Sequence, residues 1–532
     1  MSESENHLDR ENADALLDAY SDPAGAAFGT MGTEAGSDLN WMQLLRHRVQ
    51  KRAEASSKYQ WWVLWSLLAG LFALNFTFTV FIVALPKVAT QFHTSVTVLT
   101  WTMVGPLLAY GLAAPILGKA GDIYGHRRLY LFGLVGAMVS AILTALSHDV
   151  SMLLFARTLD GVQGAATGTA SGALINHVFG REERVKAMGW WSLIGAGGPV
   201  IGVSLGSPII AAFGWRALFW FQLLLIMLAF SVVAIVLPRR RESAEEEARK
   251  KAQARLDFKR MDWIGSWSLS GAVTTLMLGL SIGPSVGWTS GWTVLCFSGT
   301  AVMTSVFIYR INHAENPLIP AKYFKRRNFA MPMVLRACAN FAYFGAFFLF
   351  PLLMEQGYGY SIPRVGALAI ARPIVFSVCS PIAGYVAIRV GERVSAVAGA
   401  FFLTTSLGLF ALLQPSTGAW VVAIALALSG LGMGVAMPST SSVMANEVLP
   451  SEFGVMSAAQ MLAMQVGEVA GIQVMETIQQ ALVHRRHLEN ARPGPALLDT
   501  FHLPFLVGAL VGSVGFVSAL FIRSLDRRQP SK

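Results

Sequence analysis

Charged residues are scarce in this 532-residue chain, at 14% of positions, whereas hydrophobic residues reach 54%. A soluble globule with a charged exterior needs more charge than this, so the composition excludes an ordinary soluble protein and predicts several membrane spans. The only three cysteines, which are Cys296, Cys338 and Cys379, all fall inside apolar segments. Their spacing predicts neither a disulfide framework nor a metal site.

Motifs for nucleotide and metal chemistry are also missing. The chain contains no Gly-x-x-x-x-Gly-Lys-Ser/Thr loop for phosphates and no histidine-rich metal spacing. No polar segment is long enough for a soluble enzyme domain. We therefore expect neither ATP-driven pumping nor enzyme activity, and no cofactor or metal.

Long apolar runs dominate the sequence. A helix needs about 20 apolar residues to cross the hydrocarbon core of a bilayer. The chain has fourteen such segments, near residues 61–86, 97–118, 129–147, 152–178, 187–212, 216–237, 263–283, 291–311, 329–352, 364–388, 394–413, 419–442, 453–477 and 502–523. The sequence thus predicts an all-α membrane protein with fourteen transmembrane helices.

The net charge of +10 is distributed in a way that favours a membrane surface over nucleic acid. Basic clusters fall on every second connection, as at Arg127, Arg184 and Arg239. This positive-inside pattern, with an even number of helices, predicts that both termini are cytoplasmic. We expect the protein in the plasma membrane. The connection at 484–492 is an exception, because it carries three arginines although it should lie outside.

Composition divides the chain into segments. Residues 1–58 are acidic, then rich in Gly and Ala, then basic, which predicts a disordered cytosolic tail and no signal peptide. Residues 239–262 are highly charged and predict a cytosolic linker. The remaining predicted segments are a first six-helix bundle at 59–238, an inserted helix pair at 263–311, a second bundle at 312–525 and a cytosolic tail at 526–532.

A charged motif between the second and third apolar segments is the most informative feature. Its glycines, acid and arginines are Gly118, Asp122, Gly125, Arg127 and Arg128. This pattern resembles the loop between helices 2 and 3 of the major facilitator superfamily of transporters, with Ile123 where that family usually has a basic residue. We expect Asp122, near a helix end, to cap backbone amides. We also expect a conformational latch in which Asp122 pairs with an arginine such as Arg127 or Arg128 in one conformation and releases it in another. A weaker echo without the acid runs through 384–393.

Further segments carry the same resemblance. Gly198, Pro199 and Gly202 look like the antiporter motif of the family, and Arg157 stands where its fourth helix has an arginine. The glycines at 430–434 are similar to those of the fourteen-helix drug:proton antiporter branch. The resemblance implies two six-helix bundles with two inserted helices, and proton-coupled export of lipophilic or cationic small molecules by alternating access.

Two other functions remain open. Export of a lipid or of a pathway metabolite is one, because a cavity rich in Phe and Met does not distinguish a drug from an acyl chain. The other is a membrane sensor or scaffold without transport, because Thr77 occupies the position of the acid usual in the first helix of the family. We expect a monomer that contacts a small substrate, protons and membrane lipids, and no nucleic acid.

Ionisable residues within apolar segments are costly, so they are candidates for function. Asp160 follows Arg157 by three residues, which places both on one helix face. The pair is either the proton-responsive site, displaced from the first helix, or a permanent structural pair. Glu468 is a second candidate for proton coupling, a counter-ion for a cationic substrate, or the partner of Arg336.

The substrate-cavity candidates share a location at predicted membrane depth: Asn75, Thr77, Trp190, Arg336, Phe344, Arg372 and Met464. Arg372 precedes Pro373, where the helix is predicted to break, so its guanidinium can meet freed carbonyl groups or an anionic group. An interfacial anchor is the alternative for Trp190, and packing or lipid contact is the alternative for Phe344 and Met464.

Overall fold

The computed structural model describes residues 59–94, 96–99, 101–237, 261–488 and 491–523, together with Arg249, Gln253, Leu256 and Phe258. The predicted tails and nearly all of the predicted linker lie outside these residues. Throughout the described part, the regular structure is helical. In some stretches, including 195–205, only the backbone is described.

Fourteen helices of at least 20 residues follow one another in the described part. They are α1 Tyr59–Gln91, α2 Trp101–Tyr124, α3 His126–Ala145, α4 Val150–Val178, α5 Arg181–Phe213, α6 Trp215–Val236, α7 Trp263–Val286, α8 Gly291–His313, α9 Arg327–Leu352, α10 Ala371–Val390, α11 Glu392–Ala411, α12 Ala419–Glu447, α13 Phe453–Arg485 and α14 Pro495–Leu520. Each coincides with one predicted apolar segment, because hydropathy alone determines where a long apolar helix forms. Shorter helices include Ala321–Phe324 before α9 and Ile362–Ala369 before α10.

Two groups of six helices pack in the same pattern. In the first half, α1 packs against α5 and α6, and α4 packs against α2 and α3. In the second half, α9 packs against α13 and α14, and α12 packs against α10 and α11. Each helix of the second half therefore takes the place of the helix eight positions earlier, so the halves are structural repeats.

Helices α7 and α8 stand apart from both halves. Helix α7 packs against α2 of the first half and α13 of the second, and α8 packs against α7. Val273 and Met277 of α7 share an apolar cluster with Ala114 and Leu462. Helix α8 exposes large apolar side chains such as Trp292, at 69%, which suits a lipid-facing surface. The pair thus covers one side of the junction between the halves.

The charged motif, which was expected to form a loop between two helices, is mostly helical. Helix α2 continues through Tyr124 and α3 begins at His126, so Gly125 alone connects them, with φ of 95°. Glycine adopts this backbone conformation without the steric cost that other residues incur. Gly118 therefore lies within a helix and not in a turn. There, the lack of a side chain permits close contact with another helix.

Candidate functional site

The halves meet closely at the end of the bundle where α2 ends and α3 begins. This end, termed the basic face, carries the connections with Arg127, Arg128, Lys186, Lys325, Arg326, Arg389 and Arg393. Here α2 and α4 pack against α13, and α5 packs against α10 and α12. These four helix pairs follow the repeat symmetry, since α2 with α13 corresponds to α10 with α5.

Asp122 joins the halves at the basic face. Its Oδ1 accepts a hydrogen bond of 2.8 Å from the backbone N–H of Gly454, and its Oδ2 accepts one of 3.1 Å from that of Val455. Both amides lie in the first turn of α13, where N–H groups lack intrahelical partners and favour a negative charge. The side chain of Asp122 is only 3% exposed. An acid of the first half thus caps a helix of the second half.

Gly118 makes this contact possible. A Cβ atom at position 118 would lie 2.7 Å from the carbonyl oxygen of Gly454, closer than van der Waals contact allows. The repeat-related contact is similar, since a Cβ at Gly384 of α10 would lie 2.8 Å from the carbonyl oxygen of Val185 in α5. Nearby, the Ser380 hydroxyl donates a 3.0 Å hydrogen bond to the Gly189 carbonyl.

Asp122 caps amides as expected, but its ionisable neighbour is a histidine and not an arginine. Nε2 of His126 lies 3.2 Å from Asp122 Oδ1, and the His126 ring lies 5.3 Å from that of His177. Pairing with Arg127 or Arg128 is therefore not found in this conformation. Arg127 instead donates to the Leu237 and Ala234 carbonyl oxygens, at 3.2 Å each, at the end of α6. A cation is favourable there because the last carbonyls of a helix are unsatisfied.

Arg184 provides a second connection, which the sequence indicated only as a loop cation. Its Nη1 donates to Oδ1 of Asn446 in α12 at 2.7 Å, and its Nη2 donates to the Asn176 carbonyl at 2.9 Å. Its guanidinium also lies 5.2 Å from the ring centroid of Phe453. Directional hydrogen bonds at the basic face thus join α2 with α13, α10 with α5, and α5 with α12.

A polar network in the first half surrounds Asp160. Arg157 Nη1 lies 2.7 Å from Asp160 Oδ2, and Gln163 Nε2 donates to Oδ1 at 2.8 Å. The Ser140 hydroxyl of α3 lies 3.3 Å from the same Oδ1. The pair expected from the spacing is present. The Arg157 side chain is 3% exposed and the Asp160 side chain 17% exposed, so the acid is the more accessible partner.

Aromatic rings enclose the other side of Arg157. Its guanidinium lies 5.5 Å from the ring of Phe81 in α1 and 5.9 Å from that of Phe219 in α6. Such cation–π contacts stabilise a buried cation, but they replace only part of its hydration. Asp160 therefore supplies the counter-charge on which the buried position of Arg157 depends.

Arg336 does not pair with Glu468. Its Nη1 donates to Ser441 Oγ at 2.9 Å and to Gln460 Oε1 at 3.3 Å, and the side chain is 1% exposed. Arg336 is thus held by neutral groups of α12 and α13, and the pairing interpretation is wrong. Glu468 is partly buried in α13 and forms no ion pair with any described residue.

Arg372 lies against α9. Its guanidinium is 3.5 Å from the ring centroid of Tyr343 and donates to the Tyr343 carbonyl oxygen. The predicted helix break lies slightly earlier than Pro373, at Ile370, between the short helix Ile362–Ala369 and α10. The guanidinium therefore meets a carbonyl of a neighbouring helix and not one freed in its own.

The remaining cavity candidates are not gathered into one cluster. Asn75 Nδ2 donates to the Leu71 carbonyl at 2.8 Å, and Thr77 is 1% exposed. The Trp190 ring lies 4.9 Å from that of Trp65, within the first half. Phe344 lies 5.2 Å from Tyr343 in the second half, and Met464 is partly buried there.

The predicted antiporter motif lies in α5. Gly198, Pro199 and Gly202 are part of the stretch in which only the backbone is described, and that backbone is helical. Their role in close helix contact therefore stays a prediction.

Residues 67–472 match the sequence profile of the Major Facilitator Superfamily. The chain is 27% identical to the multidrug resistance protein Stp of Mycobacterium tuberculosis over 432 residues, covering 80% of this chain and 78% of Stp. It is 25% identical to the tetracenomycin C resistance and export protein of Streptomyces glaucescens over 423 residues, with coverage of 80% and 76%. It is 26% identical to the uncharacterized MFS-type transporter YvkA of Bacillus subtilis over 474 residues, with coverage of 88% and 97%.

Solved structures share the fold. The proton:xylose symporter XylE aligns with a TM-score of 0.59 at 11% identity, covering 85% of this chain and 95% of XylE. The human organic anion transporter MFSD10 (TETRAN) aligns with a TM-score of 0.57 at 15% identity, covering 85% and 99%. At these identities the likeness concerns the fold alone.

Proposed function

Because the chain belongs to the Major Facilitator Superfamily, we propose that it exports lipophilic or cationic small molecules across the plasma membrane against an inward flow of protons. The expected family and the all-helical fold are confirmed, and the chain is a multi-pass membrane transporter and not an enzyme. The names of its relatives, which include resistance and export proteins, support export as the direction.

The contact between the halves at the basic face carries this proposal. Asp122, Arg184 and Ser380 each bind a group of the opposite half. Each half also has its own apolar core, so these contacts can separate without unfolding either half. Transporters of this kind expose a central site alternately to the two sides of the membrane by rocking one half against the other.

The proposed topology has fourteen spans with both termini in the cytoplasm. Ten of the long helices are apolar and long enough to cross a membrane. The other four, α1, α4, α5 and α7, have 33, 29, 33 and 24 residues and pack among the ten. With the basic face on the cytoplasmic side, the structure corresponds to a conformation closed to the cytoplasm.

Asp160 is the group that we assign to proton exchange. Protonation of its carboxylate would leave Arg157 without a counter-charge between two aromatic rings, and an unpaired buried cation is strongly unfavourable. The proton would thus favour a different arrangement of α4 against α1 and α6. Glu468 is the second assigned group, and it lies in α13, the helix whose first turn Asp122 caps.

Proteoliposomes with an entrapped pH indicator test this assignment. We expect a fluorescent lipophilic cation such as ethidium to drive proton movement through the unaltered protein. Asp160→Asn should reduce that movement at least ten-fold while dye binding persists, because an amide cannot release a proton at neutral pH. Asp149→Asn is the matched control, since Asp149 is the exposed N-cap of the same helix.

The other outcomes separate the alternatives. Intact substrate-driven proton movement in both Asp160→Asn and Glu468→Gln would contradict the carboxylate assignment. Transport of a fluorescent phospholipid, without proton movement on addition of any dye, would favour a lipid exporter. Dye binding without any transport would favour a sensor.

A further inference from the structure

Two adjoining cavities lie at the basic face beside the inserted helices. The first, termed the apolar groove, has a volume of about 550 Å³ and is lined mainly by apolar side chains of α7 and α8, such as Val273 and Phe307. The second, termed the basic pocket, has a volume of about 340 Å³. It lies where the start of α9 meets the ends of α12 and α14. Lys325 lines both, so the two cavities are neighbours and one elongated ligand could contact both.

The apolar groove has the depth of one membrane leaflet. Its lining along α8 extends from Asn312 at the basic face to Thr300. At about 1.5 Å per helical residue this is about 18 Å. Half of a hydrocarbon core is about 15 Å thick. The polar lining residues Asn312 and Lys325 lie at the basic face, where lipid headgroups would be.

The basic pocket holds more positive than negative charge. It is lined by Lys325, Arg326, Arg327, Asn328, Glu447 and Arg523. The one carboxylate among these, Glu447, already accepts from Asn328 Nδ2 at 3.1 Å and lies 3.5 Å from Arg326 Nη1. Within the described part of the chain, the side chains of Lys325, Arg327 and Arg523 have no hydrogen-bond or ion-pair partner.

A second acid, Glu452, lies in the connection between α12 and α13 and binds a tyrosine. The Tyr323 hydroxyl donates to Glu452 Oε2. Burial, together with this hydrogen bond, raises the pKa of Tyr323 to about 12, so the phenol stays protonated at neutral pH. Glu452 therefore binds Tyr323 and, within the described residues, forms no ion pair with Lys325, Arg327 or Arg523.

We propose that the apolar groove and the basic pocket together bind one anionic phospholipid, with an acyl chain along α7 and α8 and its phosphate among Lys325, Arg327 and Arg523. Basic pockets between helices on the cytoplasmic side suit anionic headgroups. The site does not depend on which substrate is transported. Since α7 also packs against both halves, the lipid would occupy a wall of the junction that moves during transport.

The test measures thermal unfolding of the full chain in detergent with added phosphatidylglycerol or with phosphatidylcholine of identical acyl chains. A ligand that binds only the folded state raises the unfolding temperature by mass action. We expect phosphatidylglycerol to stabilise the protein more than phosphatidylcholine does. Lys325→Ala and Arg327→Ala should each weaken phosphatidylglycerol binding about five-fold, the effect of one cation near an anionic lipid.

Two matched controls distinguish the site from general surface charge and general lipid contact. Arg389→Ala removes an exposed cation of the same face outside the pocket and should leave the preference unchanged. Thr304→Trp should fill the groove and reduce binding, because Thr304 lines it. Val302 lies on the same helix, is 59% exposed and does not line the groove, so Val302→Trp should not reduce binding. The unfolding temperature of each variant without lipid shows whether it folds.

Three results would overturn the proposal: equal stabilisation by both lipids, equal loss in Arg389→Ala and in the pocket variants, or full stabilisation by glycerol phosphate, which lacks acyl chains. None of these readouts involves export, so failure here leaves the proposed function untouched. Failure of export in turn leaves lipid binding measurable.

Discussion

At the scale of residues, Asp122 shows how one carboxylate can report on the position of a distant helix. Its two oxygens bind consecutive amides of α13, more than 300 positions further along the chain. Charge-assisted hydrogen bonds of this kind are about twice as strong as neutral ones. The geometry holds only while the halves are together, so these bonds stabilise the closed basic face and not the fold of either half.

Asp122→Asn should therefore loosen the basic face. An amide has one acceptor oxygen and no charge, so we expect a loss of about 1.5 kcal/mol, equivalent to a roughly ten-fold shift towards opening. Hydrogen–deuterium exchange at the amides of Gly454 and Val455 measures the opening of the basic face. This exchange should become about ten times faster in the variant.

Asp149→Asn is the control, because Asp149 caps α4 within its own half and accepts from Met152 N–H at 2.8 Å. It should leave exchange at α13 unchanged. Unaltered protection of Gly454 in Asp122→Asn would show that the carboxylate does not hold the halves together.

At the scale of elements, glycines determine how closely the helices approach. In the second half, a Cβ at Gly471 of α13 would lie 2.7 Å from the backbone carbonyl carbon of Phe341 in α9. The two backbones are therefore in direct contact, with no space for a methyl group. Gly408 of α11 differs, since a Cβ there would meet nothing within 4 Å.

Gly471→Ala should thus destabilise the second half, by about 1–3 kcal/mol, the usual range for overpacking. Gly408→Ala should be neutral or stabilising, because alanine favours a helix by up to about 1 kcal/mol over glycine. Thermal unfolding of both variants in the same detergent checks the difference. Equal unfolding temperatures would mean that α9 and α13 can shift apart without cost.

The helices themselves could be predicted from the sequence, whereas most of their contacts could not. Each apolar segment became a helix, and the spacing of Arg157 and Asp160 predicted their pair, because both depend on residues close in the chain. The partners of Asp122 and Arg336 depend on which helices pack together. Local periodicity contains no information on that. The amide cap by Asp122 was expected, but not that its amides belong to α13. Glu468 was one expected partner of Arg336, where Ser441 and Gln460 are found.

At the scale of the whole molecule, the repeat is symmetric in packing but not in chemistry. Gly118 and Gly384 both bring helices of opposite halves into contact, and Gly125 and Gly391 have the same φ of 95°. The acid at Asp122, however, corresponds to Ile388 in the second half. One side of the basic face is therefore held by the Asp122 carboxylate, and the other by the Ser380 and Arg184 hydrogen bonds and by close packing.

Asn446→Asp should strengthen the closed conformation, because it places a carboxylate opposite Arg184, now 2.7 Å from the amide oxygen of Asn446. An ion pair in place of a hydrogen bond from a charged guanidinium to a neutral amide should slow turnover about ten-fold, which corresponds to about 1.4 kcal/mol. Dye efflux from proteoliposomes provides the measurement.

Asn446→Ser serves as the counterpart. It removes the Arg184 contact and should increase exchange at the start of α13. A change of turnover in the same direction for both variants would show that this contact does not control opening.

The position of α7 has a mechanical consequence. Its residues Val273 and Met277 belong to one apolar cluster with side chains of both α2 and α13. If those helices separate during each cycle, α7 cannot keep both interfaces and must slide along one of them. The inserted pair would then stay attached to one half while its interface with the other half slides. The interface with fewer interlocking side chains would be the one that slides.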